Sequence, residues 1–246
     1  MISSRILGLG LFLVLFSCNS PNEPALEKSR AELVVDSAIA FHGGELYEKG
    51  SFGFGFRGRE FRIARNNGDF EYVNTYRDSA GEHVRRLSNQ GYSEELNGEM
   101  VPVLPKDSAA RSASVNSVVY FALLPGMLNT PAAQKEYLGK EDLKGQSYHK
   151  IKVTFTEEGG GEDYDDVFLY WFAEDDYAMD YLAYSYLEDE GGTRFREAYN
   201  RRRVNGLIFQ DYVNYKGPNP DSLEYISNLF KRGVLDTLSL IELDQL

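Results

Sequence analysis

Three groups of side chains in this sequence have the types and spacing to do chemistry. The densest is acidic: Glu157, Glu158, Glu162, Asp163, Asp165 and Asp166 flank Gly159-Gly160-Gly161. Carboxylate-rich loops can hold calcium, which takes about six to eight oxygen ligands. The run lacks the spacing of an EF-hand loop, however, and a glycine-rich tip between two strands accounts for it without a metal. The second group is basic. Arg194, Arg196, Arg201, Arg202 and Arg203 form a local patch in an acidic chain, and guanidinium groups grip carboxylates or phosphates through paired N–H donors. The patch could receive an anionic head group, although pairing with neighbouring carboxylates is the simpler reading. The third is Cys18, the single cysteine of the chain.

Catalytic constellations are missing from the sequence. It contains no G-x-S-x-G elbow, no H-E-x-x-H, and no phosphate-binding or dinucleotide-binding glycine pattern. His42, His83 and His149 have no spacing that recommends a triad or a metal site, and His42 is read as a cap at a helix C-terminus, where it favours the dipole. Lys150 and Lys152 could form Schiff bases in principle. Without alternating β and α units the barrel that usually hosts such chemistry is absent, and both are read as solvent-facing strand lysines. No catalytic residue, metal or cofactor is assigned.

The elements that would position these groups are mostly strands. From Tyr148 to Tyr215 β-type segments follow one another with turn chemistry between them. Tyr148–Thr156 alternates strictly, whereas Val167–Phe172 is continuously apolar and reads as a central strand covered on both faces. Asp180–Leu187, Thr193–Asn200 and Val204–Tyr215 complete a meander whose links are too short for crossover helices. A second meander precedes it. Phe52-Gly53-Phe54-Gly55-Phe56 puts aromatics on one face and glycines, open to close approach, on the other, and Asn97-Gly98 is the strongest hairpin signal. Helices are expected over 25–41, from Asp107 or Ser108 to Pro125-Gly126, for a turn or two from Pro131 to Tyr137, and over 221–232. A last strand is expected at 234–243.

The N-terminus carries Arg5, an apolar run from Ile6 to Phe16, and Ser17 before Cys18. This reads as a signal peptide over 1–17, too short to span a bilayer as a mature helix. Residues 18–30 then read as a flexible tether and 31–246 as one α+β domain. Leu15-Phe16-Ser17-Cys18 resembles the bacterial lipobox, which implies acylation of Cys18 and a stable membrane anchor, since each buried methylene contributes about 0.8 kcal/mol. No aspartate follows Cys18 directly and no acidic cluster follows it closely. In lipoproteins this pattern implies the periplasmic face of the outer membrane. With 38 acidic against 26 basic residues and a net charge of −12, the chain offers no footprint for nucleic acid. A protein partner is not identifiable.

Helix, meander, helical insert, second meander and C-terminal helix together resemble the LolA/LolB type of periplasmic lipoprotein carrier. Phe41-His42-Gly43-Gly44, Asn116–Pro125, Glu158–Asp163, Tyr170-Trp171 and Phe195–Asn200 also resemble a family of uncharacterised bacterial lipoproteins. The architectural resemblance implies a curved antiparallel sheet, an incomplete β barrel, with helices over its concave face and an apolar cavity between. Phe54, Phe56, Tyr72, Val119, Leu123, Phe168, Trp171 and Tyr184 are the candidate lining, with Phe168 and Trp171 on opposite faces of their strand so that only one can face it. Pro125-Gly126 would be the hinge of a moving lid. The resulting expectation is a lipid or other apolar ligand. The alternatives are a structural or partner-binding envelope lipoprotein, and third a hydrolase or lyase on the same scaffold. Replacing the acylated residue, Cys18→Ser, should leave the protein in the soluble periplasmic fraction or stalled as precursor. Membrane retention of a normally cleaved Cys18→Ser protein on fractionation would show that another feature anchors it.

Overall fold

A computed structural model describes residues 27–158, 165–187 and 191–244. Cys18, the signal segment, Gly159–Tyr164 of the acidic loop and Glu188–Glu190 lie outside the described residues. Helix α1 spans Arg30–His42 and α2 Pro105–Ala122, while α3 (Ile226–Lys231) follows a 3-10 segment at Pro220–Tyr225. Two antiparallel sheets carry the rest. The first runs in sequence order from β1 (Lys49–Phe56) through β2 (Arg59–Asn66), β3 (Asp69–Asp78), β4 (Gly81–Ser88) and β5 (Gly91–Leu96) to β6 (Glu99–Met100). The second runs from β7 (Ala133–Leu143) through β8 (Gln146–Phe155), β9 (Val167–Ala173), β10 (Met179–Tyr186), β11 (Gly192–Val204) and β12 (Leu207–Lys216) to β13 (Asp236–Ile241). The fold is thus α+β, with antiparallel sheets that do not close, α1 and α2 packed over their inner face and α3 over the outer face of the second.

Among the described residues one backbone bridge joins the sheets. Gly55 N–H donates to the Asp244 carbonyl at 2.7 Å and Asp244 N–H returns a bond to Gly55 at 3.0 Å. The glycine face of β1 makes this possible, since a Cβ at Gly55 would lie 1.7 Å from Asp244 Oδ1. The seam places β1 beside the end of the β13 segment and leaves β6 and β7 as the open edges. Helix α2 is the connection between those two edge strands.

The continuously apolar β9 is covered on both faces, as its sequence implies. Phe168, Tyr170 and Phe172 share a cluster with Ala31, Val34, Val35 and Ala38 of α1, whereas Leu169, Trp171 and Ala173 pack with Leu223 and Ile226 beneath α3. Only α1 and α2 therefore lie over the inner face, and α3 covers the outer face of the second sheet. Helix α2 packs Val115, Val119 and Leu123 (just past its end) with Phe54, Phe61, Ile63 and Tyr72 of the first sheet. Its N-terminal half is held by Arg111, whose Nη1 donates to the buried Glu94 at 2.7 Å, with Tyr92 Oη donating to the same carboxylate at 2.8 Å. Burial works to raise the Glu94 pKa, but Arg111, Tyr92 and Arg85 together hold it below the usual range.

Local departures from expectation have physical causes. Residues 131–137 are not helical, because Ala133–Leu143 finds a partner in β8 and alternates along that ladder, with a shift of register between Tyr137 and Lys140 at Gly139 (φ +98°). Helix α1 begins at Arg30 because Ser29 and Glu32 form a capping box. Asp107 and Ser108 sit inside the first turn of α2, which starts at Pro105, a residue preset for that position. Asn205-Gly206 turns the chain between β11 and β12, so Val204 belongs to the earlier strand. Pro125 and Gly126 are buried, and a Cβ on Gly126 would strike Tyr47 at 2.2 Å. The segment read as a hinge is a packed joint.

His42 does not serve as a charge at the end of α1. It is fully buried, and Nε2 accepts a hydrogen bond from Met179 N–H at 3.1 Å, which requires a neutral ring with its proton on Nδ1. Burial lowers its pKa from 6.5 to about 3, with the charges of Arg201 and Arg203 acting the same way. The ring therefore pins α1 to β10. Because the folded value is depressed, the unfolded chain binds a proton that the folded chain refuses. The stability due to His42 is present above pH 6.5 and is lost as pH falls toward about 3. Within that window its slope approaches about 1.4 kcal/mol per pH unit. His42→Gln keeps an acceptor for Met179 and cannot titrate, so denaturant unfolding at a series of pH values should show a shallower acid-side loss than wild type. Parallel curves would contradict this role.

Candidate functional site

Between α2 and the inner face of β10–β12 the packing fails to close, leaving a cavity of about 300 Å³. Small side chains explain the space. Helix α2 presents Ser117, Val118, Phe121 and Ala122 there, the first and last too short to reach the sheet. Tyr184, Arg196, Gln210, Tyr212 and Asn214 form the sheet side, and Phe56, Arg57, Ile241 and Leu243 close the space along the seam. The seam segment is fixed by Asp211, whose Oδ1 accepts from Leu243 N–H at 2.9 Å and pairs with Arg202 at 3.1 Å.

The polar groups on the sheet side are ordered by one another. Gln210 Nε2 donates to the Met179 carbonyl and to Tyr212 Oη, each at 2.8 Å, while its Oε1 accepts from Arg201 Nε at 3.3 Å. Burial pushes the Tyr212 phenol up to about 12, so it stays protonated and its own hydrogen remains available to donate. Arg196 Nη2 donates to Tyr184 Oη at 3.0 Å, and its guanidinium carbon lies 4.0 Å from the Phe121 ring centre. Asn214, directly across the ladder from Arg196, donates from Nδ2 to Ser239 Oγ at 3.2 Å.

Of the residues expected to line a cavity, Phe56 and Tyr184 do so. Phe54, Tyr72, Val119 and Leu123 are brought together, but inside the core between α2 and the first sheet. Phe168 stands behind the wall, its ring 6.4 Å from Phe121 and 5.6 Å from Tyr184. Trp171 faces the opposite side of the sheet, where Nε1 donates to Glu141 Oε2 at 3.0 Å. Lys150 points the same way and is not solvent-facing, with its ammonium 3.1 Å from Glu141 and 5.1 Å from the Trp171 ring. Burial works to raise the Glu141 pKa, but Lys231, Trp171, Ser227 and Lys150 bring it down to about 2, as befits a structural carboxylate. The lining is not purely apolar as expected, since the helix contributes Phe121 and the sheet contributes the polar groups Arg196, Gln210 and Asn214.

The arginine patch divides. Arg201 pairs with Asp180 and Arg202 with Asp211, as anticipated. Arg203 donates to the Gly206 and Phe41 carbonyls, and Arg194 donates to Thr193 O and lies over Tyr186. Arg196 alone turns into the cavity. Sequence reasoning did not single out Arg196, Gln210, Tyr212 and Asn214 as lining. The available signal was the two-residue spacing of Gln210, Tyr212 and Asn214 on β12, with Arg196 across the ladder from Asn214, which becomes informative only once the inner face of those strands is known. Among the described residues no group of histidines, cysteines and carboxylates is arranged to hold a metal ion.

Comparison with known proteins gives likenesses of fold. The chain is similar to a LolA superfamily protein of Nitrosomonas europaea at 8% identity and a TM-score of 0.48, over 77% of this chain and 87% of that one. It is similar to a DUF1329 family protein of Desulfovibrio piger at 13% identity and a TM-score of 0.44, over 75% and 86%. A looser likeness, TM-score 0.28 at 14% identity over 66% and 91%, is to the lipoprotein LppX of Mycobacterium tuberculosis. No curated protein matches. The model of one family, DUF6503, described as a family of unknown function, matches residues 88–242, from the end of β4 through α2 and the whole second sheet, and the chain belongs to that family.

Proposed function

We propose that this protein is an envelope lipoprotein, tethered to a membrane through an acylated Cys18, that binds an apolar or amphiphilic molecule between α2 and the second sheet. The observation that carries this reading is the cavity itself. A space of about 300 Å³ with Val118, Phe121, Ile241 and Leu243 in its walls stands at the lower end of the volumes that hold small ligands. Such a space suits one chain or ring system better than the several acyl chains of a lipoprotein. The tether supports the reading by keeping the cavity beside a membrane, where apolar molecules concentrate. A role in partner binding is the second reading, favoured by the exposed Leu238 and Leu240 on β13, each about half accessible.

The two readings separate in one titration. An environment-sensitive apolar fluorophore should bind the unacylated Cys18→Ser chain saturably. Ser117→Trp, which fills the space from α2, should weaken it by about tenfold, equivalent to about 1.4 kcal/mol. Leu238→Ser on the outer strand should leave it unchanged. Equal affinity in the Ser117→Trp chain would remove the cavity as the ligand site and move the function to the exposed strand.

A further inference from the structure

The head group of the ligand can be argued from Arg196, given the reading of the cavity as a binding site. Arg196 is 8% exposed and its Nε finds no hydrogen-bond partner. The only side-chain bond it makes among the described residues is the one from Nη2 to Tyr184 Oη. The described carboxylates of its own and the flanking strands pair with other groups: Asp180 with Arg201, Asp211 with Arg202 and Asn200, and Glu197 with Lys144. A cation held this far from water without a counter-ion is costly. The rings of Phe121 at 4.0 Å and Tyr184 at 5.2 Å from its guanidinium carbon offset only part of that cost.

The remaining polar groups point to the same chemistry. Tyr184 and Tyr212 each accept a hydrogen bond, from Arg196 and Gln210 respectively, which leaves both phenol hydrogens free to donate. Arg57 adds a second guanidinium at the exposed rim, over Phe56. In a chain with 38 acidic residues, the cavity lining among the described residues contains two arginines and no carboxylate. Donors outnumber acceptors there. Among the described residues of the lining, Asn214 Oδ1 is a buried acceptor without a partner, suited to a hydroxyl or a protonated acid oxygen. We infer that the cavity takes a single-chain acidic amphiphile, with its carboxylate or phosphate monoester on Arg196 and its chain against Val118, Phe121 and Ile241.

Decanoate, decyl phosphate, decanol and decyltrimethylammonium share one chain and differ in the head, so their competition against a bound apolar fluorophore on the full Cys18→Ser chain isolates the head-group term. At least one acid should bind about tenfold or more tightly than decanol, as a charge-assisted contact requires, and the tighter acid identifies the head. Arg196→Met should erase that preference while decanol still binds, and Arg196→Lys should keep part of it. Decanol binding as tightly as both acids would overturn the inference and leave the cavity reading in place, whereas failure of every ligand to compete would remove both. A folded Arg196→Met chain that still prefers the acid would overturn the assignment to Arg196. Should Arg196→Met not fold, the wild-type ranking of acid over alcohol decides the question by itself.

Discussion

The structure depends on how one helix packs against two sheets that do not close. Helix α2 connects the edge strands β6 and β7, and its apolar side chains must satisfy both halves of the opening. Val115 and Val119, with Leu123 just beyond, fill the first sheet, while Tyr120 and Phe121 reach the second, where Tyr120 Oη bonds Tyr170 Oη at 2.8 Å. A helix cannot match two diverging surfaces along its whole length with side chains of one size. Where the residues facing the second sheet fall to Ser117 and Ala122, the contact is lost and the cavity begins.

Everything else holds that arrangement in register. The seam at Gly55 and Asp244 fixes one side of the opening. His42 ties α1 to β10, and Glu94 holds Arg111 at the start of α2. On the outer face, α3 packs Phe230 on Phe195 with ring centres 4.5 Å apart and keeps the second sheet covered where α1 and α2 do not reach. The polar groups at the cavity are then positioned by regular ladders, with Arg196 opposite Asn214 and Tyr212 opposite Ala198. Strand positions of this kind hold side chains more rigidly than loops do, which suits a binding site.

Much of the architecture was legible in the sequence because strand signals are local. Alternation in Tyr148–Thr156, the Asn97-Gly98 turn and the unbroken apolar run at Val167–Phe172 each state their own structure, and the last also states that two layers flank it. What depended on tertiary partners was not legible. Residues 131–137 carry no signal that β8 will recruit them, and nothing in Asp221–Arg232 says which face of the sheet that segment will cover. The cavity lining followed the same divide. Phe54, Val119 and Leu123 were expected to line the cavity and are packed core instead, because an apolar strand or helix position reads the same whether it faces a void or a neighbouring side chain. The groups at the cavity, Arg196, Gln210 and Asn214, look like solvent-facing positions until the helix that shields them is placed.

The central claim is that this space is occupied in the cell by one apolar or amphiphilic molecule. Native mass spectrometry of the chain purified from its own cells tests that directly. The account predicts a fraction of the protein carrying a single added small mass that is lost on mild unfolding and absent from the Ser117→Trp chain. A bare protein mass under conditions that preserve other non-covalent complexes, or an added mass undiminished by Ser117→Trp, would contradict it.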